Sequence, residues 1–253
     1  MKKLTHFLPA TVAVMMFLGL SVVVVQAGPC ELPGFASASF ANPTNIDNPY
    51  LPLVSGTTFI YEPVPNPDDV VNPVIVTNTI KTITVNGKSV ACRQVHDFET
   101  DNGVLAEDTL DWYAQDDDGN VWYCGEYTSV YSYDQNGNII GVDHTGSWEA
   151  GVDGALPGYV MLAEPASGVC YQQEYLEGEA EDDAKVMRLN AKVTLESNGN
   201  SYENCLETKE WSPLELGAIE QKFYAKGVGL VLNFEHKGKT VRNELVSVTL
   251  PPP

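Results

Sequence analysis

Five dipeptides suited to tight chain reversal punctuate this sequence: Asn86-Gly87, Asn102-Gly103, Asp118-Gly119, Asn136-Gly137 and Asn198-Gly199. Asn, Asp and Gly tolerate the positive φ of two-residue hairpin turns, so each marks a point where a strand folds back on its neighbour. The runs between them are rich in Val, Ile, Thr, Tyr and Trp, as in VIVTNTIKTITV over Val74–Val85. Such side chains fit a pleated, half-buried surface. Over Val104–Ala114, Val104, Ala106, Leu110, Trp112 and Ala114 share one face, and Glu107, Thr109 and Asp111 share the other. That two-residue period is the mark of a half-buried antiparallel strand. Only Asp182–Leu189 has helical character. The pattern predicts an all-β chain, an antiparallel meander of roughly ten to twelve strands.

The meander repeats itself. Gly56-Thr57-Thr58-Phe59 with Glu62 matches Gly168-Val169-Cys170-Tyr171 with Glu174 at the same spacing. Cys92 then matches Cys205, and Asp111-Trp112-Tyr113-Ala114 matches Lys222-Phe223-Tyr224-Ala225. This divides the chain into a leader (1–27), an N-terminal lead (28–50), a first β unit (51–142), a connecting loop (143–165) and a second β unit (166–250). One sheet of a single unit has no partner against which to bury a face, so the duplicated units are expected to form one curved sheet or barrel-like domain. The connecting loop, rich in Gly and small residues, is of a length that often serves function.

The leader has the layout of a cleaved export signal: Lys2 and Lys3, an apolar run over Ala10–Val25, and Val25-Gln26-Ala27 as cleavage site. The run is short for an anchor, and Pro29 before Cys30 is wrong for lipoprotein processing, so a secreted or periplasmic protein with no stable membrane anchor is expected. The formal charge is −20, and loss of the two leader lysines makes it more negative. That sign repels phosphate backbones and excludes nucleic acid as a partner class. Five cysteines in an oxidising compartment are read as largely bridged, with Cys30 left over. The expected pairs are Cys92 with its repeat counterpart Cys205, and Cys124 with Cys170 across the junction.

The segments DWYAQDDDGNVWY (Asp111–Tyr123), GSWEAGVDGALPG (Gly146–Gly158), QEYLEGEAED (Gln173–Asp182) and YAKGVGLV (Tyr224–Val231) resemble a group of secreted bacterial hypothetical proteins. The resemblance covers most of the chain beyond the leader. It implies one fold over that length and supplies no active site. The YAKGVGLV pattern is also similar to one in periplasmic β proteins that cover or carry apolar ligands.

Candidate chemistry lies in the acids. Asp116, Asp118 and Asn120 could offer oxygens to Ca²⁺, the one candidate cofactor, although their spacing is not that of an EF-hand and an Asp-Gly turn explains them equally. Asp108 breaks the apolar face of its strand, where a carboxylate needs a partner. With Trp112 it is a candidate ligand site, as are Trp148, Glu149 and Asp153 in the connecting loop, where an aromatic platform stands beside two acids. Cys92 and His96 share a strand face, but two ligands do not make a metal site. No nucleophile elbow, phosphate-cradling loop or dinucleotide fingerprint occurs. A non-catalytic binding or carrier protein for a small apolar or aromatic ligand therefore ranks first. A cation-binding surface protein ranks second, and a carboxylate-dependent hydrolase or lyase third.

Overall fold

The computed structural model describes residues 30–66 and 69–252. The leader expected to be an export signal, residues 1–27, falls outside the described residues. Among those described, no helix is long and apolar enough to cross a membrane.

The chain is almost wholly β. The first half contributes β1 (Thr58–Pro63), β2 (Asn72–Val85), β3 (Lys88–Asp101), β4 (Val104–Gln115) and β5 (Val121–Tyr133), followed by β6 (Ile139–Asp143), β7 (Trp148–Glu149) and β8 (Leu156–Met161). The second contributes β9 (Cys170–Gln172), β10 (Glu174–Tyr175), β11 (Asp183–Thr194), β12 (Ser201–Trp211), β13 (Ile219–Ala225), β14 (Gly229–Lys237) and β15 (Lys239–Thr249). The Asp182–Leu189 stretch with helical character is thus mostly strand. The segment expected as a connecting loop carries two strands, and the turn before them keeps the loop character. Asn86-Gly87 and Asn102-Gly103 form the expected tight turns, with φ of 50° and 83° in one and 50° and 75° in the other.

Every strand pairs antiparallel in one sheet, ordered β10-β8-β5-β4-β3-β2-β1-β15-β14-β13-β12-β11-β9, with β6 and β7 added to β5. The two ends of this path are consecutive in sequence, separated by Gln173 alone. Cys170–Gln172 pairs with β11 (Ala184 opposite Tyr171), and Glu174–Tyr175 pairs with β8 (Pro157 opposite Glu174). One short segment therefore joins both edges, and the sheet nearly closes into a barrel. Gly158 permits the closure: a Cβ there would run into the backbone carbonyls of Gln172 and Gln173. The segments matched in the sequence fall on β3 and β12 (Cys92, Cys205) and on β4 and β13 (Asp111, Lys222).

The apolar residues form two clusters. One fills an end of the barrel interior, with Val95, Val121, Val186, Leu206 and Tyr224 around Ile46, Tyr50 and Leu53 of the lead. The other lies on the outer face of β2–β5, where Ile83, Cys92, Trp112, Trp122 and Cys124 are covered by Phe35 and by Trp148, Ala150 and Ala155. The lead is therefore a structural cover and is tied down as one. Asp47 and Asn48 donate their backbone N–H groups to Gln115 Oε1 (3.0 and 2.9 Å), and Asn48 Nδ2 donates to the Gly119 carbonyl at 2.9 Å.

The disulfides differ from expectation. Cys30 is bridged to Cys170, with Cα atoms 5.3 Å apart, and Cys92, Cys124 and Cys205 are buried thiols. Cys92 and Cys205 cannot meet because they belong to different clusters, one outside the barrel wall and one inside. The bridge instead fastens the lead to the segment that closes the barrel.

Candidate functional site: an acidic lumen

Side chains alternate across a strand, so each wall strand sends one residue in two inward. Along β3 the inward residues run Val95, Asp97, Glu99; along β12, Leu206, Thr208, Glu210; along β13, Tyr224, Lys222, Glu220. The interior thus changes along its axis from an apolar plug to a carboxylate-lined end. On β4 the inward face is Glu107, Thr109, Asp111 and Tyr113, the face that sequence alternation would give to solvent. The apolar Leu110–Trp112–Ala114 face points outward beneath its cover.

Two adjoining chambers lie at this end, of about 990 and 530 Å³, with Tyr113, Glu126, Glu220 and Lys222 in the lining of both. Among the described residues, Lys222 is the only lysine or arginine lining either chamber. Its Nζ lies 2.8 Å from Glu210 Oε2 and 2.8 Å from Glu220 Oε2. Burial works against the lysine's charge, but these two carboxylates outweigh it and hold its pKa well above the ordinary value. Lys222 in turn pulls Glu220 below the usual carboxylate range.

The other acids lack a cation. Burial lifts Asp97 to about 6, despite a 2.6 Å hydrogen bond from Asn72 Nδ2. Burial lifts Glu126 to about 7, against a donated bond from Thr128 Oγ1 at 3.2 Å. Asp111 and Glu174 are pushed well above the carboxylate range, again by burial first and by neighbouring acids second. Asp111 accepts a 2.7 Å bond from Tyr123 Oη. Asn233 stands among them, its Nδ2 donating to Glu235 Oε1 at 3.2 Å and reaching Glu220 Oε2 at 3.5 Å. Its Oδ1 is buried and accepts no hydrogen bond.

None of the five ligand-site candidates from the sequence lines a chamber. Asp108 is on the outer face, where its Oδ1 meets His96 Nε2 at 2.8 Å, the partner its position required. Trp112 and Glu149 come together around Lys81, which lies 3.4 Å over the Trp112 ring and 2.6 Å from Glu149 Oε2, and Trp148 packs in the same apolar cluster as Trp112. Trp148 also meets Tyr123 edge-on, with ring centroids 5.3 Å apart. Asp153 stands apart in an exposed turn with φ of 50°. The turn just before β7, His144–Ser147, does line the larger chamber.

The Asp116–Asn120 turn is knitted to itself. Asp116 Oδ1 accepts from the N–H groups of Asp118 (3.1 Å) and Asn120 (2.8 Å), and Oδ2 accepts from Asn120 Nδ2 (3.0 Å) and Trp122 Nε1 (2.9 Å). Asp134 makes the same bonds to Asn136 and Asn138 in the next hairpin, at 2.8 and 2.9 Å, so turn chemistry alone accounts for the pattern. Among the described residues, no group of three or more His, Cys, Asp or Glu side chains is disposed to hold a metal ion. Cys92 and His96 do not combine, since Cys92 is packed among apolar side chains and His96 is bonded to Asp108.

No family model and no curated protein matches the sequence. Among solved structures, the chain is similar to a candidate exported protein from Bacteroides fragilis with a YmcC-like fold, at 11% identity, covering 79% of this chain and 99% of that one, with a TM-score of 0.42. It is also similar to a candidate lipoprotein from Parabacteroides distasonis, at 13% identity, covering 79% of this chain and 98% of that one, with a TM-score of 0.32.

Proposed function

We propose that this chain is a non-catalytic, extracytoplasmic binding or carrier protein whose ligand occupies the open end of the barrel. The observation that carries the reading is the pair of adjoining chambers, about 990 and 530 Å³, which are of the size that takes small organic ligands. Their lining of carboxyl, hydroxyl and amide groups favours a ligand bearing hydrogen-bond donors over the apolar one that a carrier of this class suggests from sequence. The leader motif supports export. Native mass spectrometry of the protein purified from its own host tests the reading. A retained organic mass that leaves on denaturation is expected, and a bare polypeptide mass would count against a carrier.

One observation favours a second reading. Glu126, lifted to about 7, and Glu220, held ionised by Lys222, line both chambers. Carboxyls driven apart in this way can divide acid and base roles in hydrolase or lyase chemistry. Cleavage of an exported polysaccharide that is lost in Glu126→Gln would select this reading over the first.

A further inference from the structure

We infer that the larger chamber binds a neutral saccharide through neighbouring hydroxyl groups, an inference that rests on the binding-protein reading above and names its ligand class. Carboxylates around a cavity can be no more than a hydrated wall. What distinguishes this wall is the pair Gln173 and Glu174, each 7% exposed and each lining the larger chamber at the seam where the barrel closes. Among the described residues neither side chain makes a hydrogen bond. The unpaired polar atoms that are sealed from solvent lie elsewhere, in Thr57, Arg93, Trp112, Trp148, Asp183 and Asn233, so the amide and the carboxyl keep their free ends open to the chamber. Trp148 Nε1 stands near Glu174 without completing a hydrogen bond to it. Tyr113 Oη, on the wall of both chambers, is free in the same sense. A polar side chain folded almost wholly inside a protein is ordinarily hydrogen-bonded, so these free ends mark the place of a bound molecule.

The chemistry of the free ends gives the class. The Gln173 amide offers N–H donors and an acceptor oxygen side by side. Glu174 is pushed well above the carboxylate range, by burial first and by Asp182 and Glu126 next, so at neutral pH it keeps its proton and likewise presents a donor and an acceptor. A hydroxyl both donates and accepts, and two on adjacent carbons match such a pair atom for atom. An ammonium only donates, and would leave the Gln173 N–H groups unmet. Glu220, held ionised beside Lys222, accepts hydroxyl protons and with the surrounding acids repels an anion, which disfavours uronates. A peptide backbone carries as many carbonyls as N–H groups, and its carbonyls would face carboxylate oxygens. Tyr113 and Tyr123, stacked with ring centroids 5.1 Å and planes 18° apart, add apolar surface for the C–H face of a sugar ring.

The test is a printed array of neutral hexose and N-acetylhexosamine oligomers beside uronate oligomers, probed with the mature chain near neutral pH, with isothermal titration of the strongest binder. Saturable binding to a neutral oligomer is expected, with its uronate counterpart at least about tenfold weaker, a difference of about 1.4 kcal/mol. Gln173→Leu should weaken the neutral ligand about tenfold, and Glu174→Gln, which keeps a donor and an acceptor, should stay within about twofold. Tyr113→Phe removes only a free hydroxyl, so it tests the site even where Gln173→Leu fails to fold, and it should weaken binding about threefold. Glu203→Gln, on the exposed outer surface, should change nothing. Recovery of the bound oligomer intact supports the saccharide and the binding reading together; recovery of shorter fragments supports the saccharide and selects the hydrolase reading. Absence of saturable binding to every neutral oligomer overturns the inference, as does equal binding of uronates, or binding indifferent to both Tyr113→Phe and Gln173→Leu. An organic mass retained in native mass spectrometry would then leave the carrier reading standing, so the two failures are distinct.

Discussion

Raising the pH from 5 to 8 should destabilise this protein, the reverse of ordinary acid denaturation. Asp97 and Glu126 hold their protons to about pH 6 and 7 in the folded barrel, against ordinary values of 3.8 and 4.5. Between those limits the native state binds more protons than the unfolded chain, so stability falls as pH rises. The favourable contribution is complete below about pH 4 and is lost as pH passes through 6 and 7. At about 1.4 kcal/mol per pH unit, raising the pH from 5 to 8 removes about 1.4 kcal/mol through Asp97 and about 2.7 kcal/mol through Glu126. Asp111 and Glu174 push in the same direction. A loss of about 4 kcal/mol corresponds to about 8–16 °C in Tm for a chain of this size. Urea denaturation at pH 5, 6.5 and 8 measures it directly, and Glu126→Gln should remove about two thirds of the dependence while raising stability at pH 8. Stability that is flat or rising from pH 5 to 8 would refute the reasoning, as would a slope unchanged in Glu126→Gln.

Lys222→Met should cost about 3–5 kcal/mol at pH 8, because it leaves Glu210, 7% exposed at its side chain, buried without its cation. Lys192→Met, which breaks an exposed pair with Glu203, should leave Tm unchanged. Ellman titration without reductant should find no reactive thiol in the native protein and three after denaturation, from Cys92, Cys124 and Cys205. A count of one would restore a second disulfide.

The strands and their antiparallel pairing were legible because turn chemistry is local: Asn86-Gly87 and Asn102-Gly103 specify reversal with no help from the rest of the chain. The site was not, and β4 shows why. Its alternation gives two faces without saying which looks inward, and Glu107, Thr109 and Asp111 read as the wet face. They face the barrel interior instead, where Thr109 and Asp111 are buried. The apolar face is buried by Phe35 and the Trp148–Ala155 segment, which come from stretches with no periodicity to announce them. Asp108 was legible as a residue needing a partner, and His96 supplies it, but that need arose from structure and not from a ligand. Cys30 looked surplus because it lies in the N-terminal lead, far in sequence from the other cysteines, and only the closure of the barrel brings the lead to β9. The signal that could have found the lumen was the pairing of Asp111 and Lys222 in two matched sequence motifs, since opposite charges that both face inward suit a shared interior.

The pairing of β1 with β15 sets Thr58 opposite Thr249, so the first strand to be synthesised waits for the last. Until the carboxy-terminal strand is released, β1 has one neighbour, the barrel has an open edge, and no intermediate made of the amino-terminal half alone can close. Contacts between such distant parts of a chain form slowly. A sheet whose distant ends must meet therefore completes late, and the chambers inside it take shape only once both halves of the wall are in place.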